Sequence, residues 1–192
     1  LSTSSFGGLS PEELGQAYQK EGWKVDAAVL DAIKACRGNH QTKIVEGILA
    51  AIYQPWLADL NERFQKHVQA KGYPGEGKVG EAAAEYLADG ELVFFIDGLR
   101  LDVAHQLVGL MEAQGINPNM ATQWSALPSV TATAKAAVSP IHKSLVGEDE
   151  DKDFQPSIAG QGGLTHDRFK KLLGQQGWQY LEDDDLGDPT GN

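Results

Sequence analysis

The sequence predicts an α/β protein: a mostly parallel sheet flanked by helices and preceded by a helical region. Three observations carry this reading. Residues 1–89 hold apolar side chains at helical spacing almost throughout. The run Leu92-Val93-Phe94-Phe95-Ile96 is then apolar without a break, as in a strand covered on both faces, and passes into Asp97-Gly98. From residue 91 onward the pattern alternates strand, helix, strand, helix, the signature of parallel strands joined by crossover helices.

Residues 1–9 are rich in Ser and Gly and are expected to be poorly ordered. Ser10-Pro11-Glu12-Glu13 then reads as a helix start, with Ser10 as N-cap, Pro11 in the first helical position and Glu13 reaching back. Val25, Ala28, Val29, Ala32 and Ile33 mark a helix over 24–36, ended by Gly38. Ile44, Val45, Ile48, Leu49 and Ile52 mark another over 42–53, and Pro55 is expected to kink it or to start a new one. Trp56, Leu57, Leu60, Phe64 and Val68 continue the apolar stripe up to Gly72. Such stripes read as core faces. Tyr73 to Gly77 is a turn cluster, followed by a short helix through Leu87.

Past Asp97, a helix is expected over 101–113, with Asp102 charging its first turn. Met120 to Leu127 suits a second strand, and Ala132 to Val138 a helix of good helix formers. Residues 147–163 read as a long polar loop. Thr165 caps a helix that Gly177 closes, and Trp178 to Leu181 suits a further strand. The change of architecture near residue 90 divides the chain into a helical region, 1–89, and a sheet-bearing region, 90–192.

Two positions carry candidate chemistry. An acid at the last residue of a buried strand projects from its carboxyl end, where open α/β sheets bind their ligands; that is Asp97. The plain alternative is a turn acid. Thr131 lies on the turn into a helix, among free backbone N–H groups that suit a phosphate, and it equally suits a simple cap.

Together, Val93-Phe-Phe-Ile-Asp97-Gly-Leu-Arg100-Leu-Asp102-Val-Ala104, Leu107, Gly115 and Leu127-Pro-Ser-Val-Thr131-Ala-Thr-Ala-Lys135 resemble the alkaline-phosphatase superfamily, and within it the PglZ domain of BREX phage-defence systems. The resemblance is specific over about residues 90–140 and weaker to about 182. It implies that 90–192 is the N-terminal part of an alkaline-phosphatase-like core. It implies that Asp97 ligates a divalent metal, zinc first, with manganese or magnesium as alternatives, and that Thr131 is the nucleophile and a metal ligand. A metal at Asp97 would stabilise the Thr131 alkoxide, and a second would clamp the oxygens of an in-line phosphoryl displacement. Arg100 has two readings, a phosphate contact or the partner of an acid on the helix surface.

The activity so implied is that of a metal-dependent phosphodiesterase, nuclease-like, acting on DNA or a nucleotide within a phage-defence complex of several proteins. A phosphomonoesterase or phosphotransfer enzyme of the same superfamily, and a non-catalytic assembly module, are the alternatives. The family's further Asp and His ligands do not stand out here. His142 and His166 read as surface residues, and the acids at 148–153 and 183–185 as solvated runs. The remaining ligands are therefore expected beyond Asn192, in a longer protein of which this chain is a segment that binds metal weakly and is inactive alone.

The chain has 192 residues, enough for a sizeable core, and 41% hydrophobic content. Its net charge of −11 argues against wrapping nucleic acid on a broad basic surface, though not against a metal-bound nucleotide or DNA strand in a small site. The single Cys36 excludes an internal disulfide and suits a reducing cytoplasm. Neither a signal peptide nor an apolar run approaching about 18 residues points to secretion or a membrane partner. A homo-oligomer is compatible with all of this.

Overall fold

Ser10 begins the first helix as the sequence predicts. Its backbone is extended (φ −136°, ψ 157°), and its hydroxyl accepts a hydrogen bond from the Glu13 N–H at 3.1 Å. One of the free N–H groups at the helix start is thereby satisfied. The computed structural model describes residues 10–76, 92–147 and 154–182. These fall into two units, 10–76 with 98–121, and 92–97 with 122–147 and 154–182. The expected transition near residue 90 and the short helix before it, the Ser/Gly-rich start and both acidic runs lie outside the described residues.

The first unit is helical. Helix α1 (Pro11–Ala17) runs through one π-helical turn (Tyr18–Gly22) into α2 (Trp23–Lys34). Helix α3 (Asn39–Lys71) follows, and then α4 (Leu101–Ala113). Helix α2 packs against both α3 and α4. Trp23 stacks on His105 with ring centroids 3.8 Å apart, and Lys34 Nζ donates to Gln106 Oε1 at 3.0 Å, so two side-chain contacts tie α2 to α4. The middle of the unit is polar as well as apolar. Its buried residues include Leu14 and also the carboxylates of Asp26, 5% exposed, and Asp102, fully buried. Asp26 accepts from two phenols, Tyr18 Oη on the π-turn and Tyr53 Oη on α3, the latter at 2.5 Å. Buried carboxylates are stable only when hydrogen-bonded. Here the bonds join three consecutive elements.

The second unit is mixed. Helix α5 (Thr131–Ala137) leads through a 3₁₀ turn (His142–Ser144) to a small antiparallel sheet of β1 (Leu145–Val146), β2 (Ser157–Ile158) and β3 (Gly162–Gly163), closed by helix α6 (His166–Gln175). The strands pair in chain order, with Leu145 opposite Ile158 and Ser157 opposite Gly163. Ala136, Ile141, Ile158, Leu164, Phe169 and Leu173 form the core, drawn from α5, the sheet and α6. Helix α6 keeps both expected ends. Thr165 Oγ1 accepts from the Arg168 N–H at 3.3 Å. At the other end Gly177 (φ +83°) turns the chain so that the Trp178 N–H reaches the Leu173 carbonyl at 3.0 Å. That pattern satisfies the last carbonyls, and a side chain at 177 would strain it.

The mixed α/β class stands; the sheet differs from the expectation. Residues 92–96, 120–127 and 178–181 form no strand, and the described sheet is antiparallel. An apolar run sets a preference for extended chain, but a strand exists only where a neighbouring edge completes its hydrogen bonds. Leu92 and Phe94 are accordingly 63% and 77% exposed. Pro55 also behaves differently: α3 runs through it without a break for 33 residues. One backbone bond is lost at Pro55, and the turns on either side hold the helix. The stripe Ile44, Ile48, Ile52 on that helix is about half exposed and so is not core among the described residues. Among the described residues no helix is long and apolar enough to cross a membrane.

Candidate functional site

Asp97 follows the apolar run 92–96, and Gly98 (φ +67°) turns the chain immediately after it. That positive φ is open to glycine and strained for a branched side chain. Thr131 is the first residue of α5, behind an extended Val130 (φ −116°, ψ 160°). The turn that presents it is fastened locally. The Val130 N–H donates to the Pro128 carbonyl at 2.8 Å, and the Thr133 hydroxyl donates to the carbonyls of both Pro128 and Val130. Thr133, the other threonine of the segment, thus spends its hydroxyl on the backbone, leaving Thr131 free to point elsewhere.

The two candidates meet. Thr131 Oγ1 donates to Asp97 Oδ2 at 2.6 Å, a charge-assisted length, across 34 positions of sequence. Both side chains are exposed to solvent. A hydroxyl and a carboxylate in contact are the residue types from which a nucleophile and its base are drawn.

Beside Thr131 opens a cavity of about 150 Å³. Its walls come from α5 (Thr131, Ala132, Lys135, Ala136), from β2 and its approach (Gln155, Pro156), and from Leu164 and α6 (Thr165, His166, Phe169). The frame is held by backbone contacts. Arg168 Nη1 donates to the carbonyls of Gln161 and Gly163, each at 2.8 Å, and Gln155 Nε2 donates to the Leu164 carbonyl. Lys135 Nζ donates to Tyr180 Oη at 3.1 Å and lies 5.1 Å from the Phe169 ring centroid and 5.0 Å from that of Tyr180. Two aromatic faces therefore hold the ammonium.

Other sequence candidates fall elsewhere. Arg100, in the first unit, pairs with an acid on its own helix: Nε and Nη2 donate to Asp102 Oδ1 and Oδ2, both at 3.0 Å. Burial lowers the Arg100 pKa, the Asp102 bonds raise it, and the balance is upward. The partner acid is fully buried, whereas the sequence reading places one on the helix surface. His142 Nδ1 sits 3.0 Å from the Ser139 carbonyl, on the 3₁₀ turn. His166 is exposed, as expected, and also lines the cavity, with its ring edge-on to Tyr180 at a centroid distance of 5.4 Å. Lys135 was not among the candidates, although its spacing four residues after Thr131 puts both on one face of a helix.

Asp97 and Thr131 offer two hard oxygens, which suit a divalent cation such as magnesium, manganese or zinc. Among the described residues no cluster of three or more His, Cys, Asp and Glu side chains surrounds a common point. Comparison with family models, with curated proteins and with solved structures finds no match for this chain.

Proposed function

We propose that the chain is part of a metal-dependent phosphoryl hydrolase in which Thr131 is the nucleophile and Asp97 its partner. The observation that carries the reading is the 2.6 Å hydrogen bond from the Thr131 hydroxyl to Asp97. In that geometry Asp97 takes the proton as Thr131 Oγ1 attacks phosphorus. The Oγ1–phosphorus bond forms while the ester oxygen leaves with the bonding pair and takes up a proton. Water then cleaves the phosphothreonine and regenerates the hydroxyl. A divalent cation held by Asp97 and Thr131, with ligands from the rest of the protein, would lower the pKa of the hydroxyl and offset charge on the phosphate.

A phosphodiester, in DNA or a nucleotide, is the substrate class that the likeness of 90–140 to PglZ domains favours, and phage defence is the setting it suggests, with other defence proteins as partners. Monoester hydrolysis or phosphotransfer is the nearest alternative within the same chemistry. Exposure of the apolar residues 92–96 favours a second reading, a module whose role is assembly. Diester and monoester reporters, given to the intact protein with and without a chelator, decide among them. Chelator-sensitive turnover lost in Thr131→Ala supports the hydrolase. Absence of turnover with zinc, manganese and magnesium alike overturns it.

A further inference from the structure

The cavity beside Thr131 has a composition unlike the rest of the chain. The protein carries a net charge of −11, yet the lining itself holds Lys135 and His166, and the carboxylates of Asp97, on Thr131, and Glu182, 3.8 Å from His166, stand outside it. Its remaining surface is largely apolar, with Leu164 and Phe169 from the core and Pro156 opposite. Ala132 and Ala136 lie on the α5 side, where larger side chains would fill the space. A cavity of about 150 Å³ is the size that takes one benzene-like ring. Lys135 stands one helical turn from Thr131 on the same face of α5, so its charge and the candidate nucleophile address the same opening.

We propose that this cavity is the subsite for the ring-bearing group of an aryl or nucleoside phosphate, with Lys135 as the residue that selects for its negative charge. The proposal rests on the assignment of Thr131 as nucleophile for its place in a reaction, and on the cavity alone for binding. The ring lies against Leu164, Phe169 and Pro156, and the phosphate sits at the mouth toward Thr131. Tyr180 fixes Lys135 from behind through its hydroxyl and its ring, so the ammonium is held in place before the ligand arrives.

Calorimetric titration of the intact protein with phenyl phosphate and with inorganic phosphate tests this. Phenyl phosphate is expected to bind at least about tenfold more tightly than inorganic phosphate, because only it buries a ring. Lys135→Met keeps most of the apolar stem and is expected to weaken both probes about tenfold, with Lys135→Arg restoring most of the loss. Ala132→Leu narrows the cavity and is expected to weaken phenyl phosphate while leaving inorganic phosphate unchanged. Circular dichroism confirms that each variant is folded. Equal affinity for the two probes, no binding of either, or folded Lys135→Met and Ala132→Leu proteins with wild-type affinities would overturn the proposal. The binding measurements stand even if the protein turns over no ester. Conversely, ester turnover with KM unchanged in Lys135→Met overturns the subsite and leaves the Thr131 assignment intact.

Discussion

The Thr131 hydroxyl and the Asp97 carboxylate lie 2.6 Å apart, oxygen to oxygen, although 34 positions separate them in the sequence. One follows an apolar segment and the other begins a helix. Asp97 precedes a turn at Gly98, and Thr131 follows a turn fastened by the Val130 N–H to Pro128 carbonyl bond.

This pair supports the first prediction. In the intact protein Thr131→Ala is expected to abolish turnover with little loss of stability, because the side chain is exposed and packs against little. Thr131→Ser keeps the hydroxyl and is expected to retain measurable activity. Asp97→Asn preserves the shape but removes the charge, and is expected to reduce both divalent-metal affinity and turnover. Steady-state kinetics and metal titration of the three variants check this; wild-type turnover in Thr131→Ala would show that another group attacks.

The second prediction concerns alkaline pH. Burial, then the hydrogen bond to Asp26 and that carboxylate's charge, push the Tyr53 phenol up to about 12, and the same causes raise Tyr18. Arg100 and Asp102 also act on Tyr53, with opposite signs. Because the folded pKa lies above the ordinary 10.0, the stabilisation is fully present below pH 10 and is lost as pH rises through about 12. Urea denaturation of the wild type is expected to show falling stability across that window. Tyr53→Phe is expected to be less stable at neutral pH and to lose less on alkalinisation. A parallel decline in the two proteins would remove Tyr53 from the effect.

Asymmetry at the Arg100–Asp102 pair gives the third prediction. Asp102 is fully buried, whereas the Arg100 side chain is 52% exposed. Arg100→Met strands a buried carboxylate and is expected to cost about 3–5 kcal/mol. Asp102→Asn leaves a guanidinium that water can reach and is expected to cost less, about 1–2 kcal/mol. Denaturant midpoints of the two variants test the order; equal costs would mean that the pair shares its desolvation evenly.

Pro55 provides the fourth. It sits inside α3 without an N–H for the Ala51 carbonyl. Pro55→Ala restores that bond and is expected to raise stability, by up to about 3 kcal/mol on intrinsic helix preference. Thermal unfolding followed at 222 nm is the measurement. A lower Tm in Pro55→Ala would show that the proline ring makes packing contacts worth more than the bond.

Short-range chemistry determined what the sequence could show by itself. Ser10 and Thr165 as caps, Gly177 as a helix stop, and the helices after Arg100 and Val130 were all legible, because each depends on groups within one or two turns of each other. Asp97 and Thr131 were legible as types at a spacing; the bond between them is tertiary. Only the tertiary structure decided the rest. Leu92 to Ile96 prefers extended chain by its own composition, but pairing belongs to the neighbour it finds, and the described ladder formed instead among two-residue strands at 145–146, 157–158 and 162–163. Nothing local marks Asp26, whose partners Tyr18 and Tyr53 stand 8 and 27 positions away. Lys135 and His166 came to one cavity because α5 and α6 pack on a shared core, and burial of that core depends on residues far apart in the chain, which no local pattern encodes.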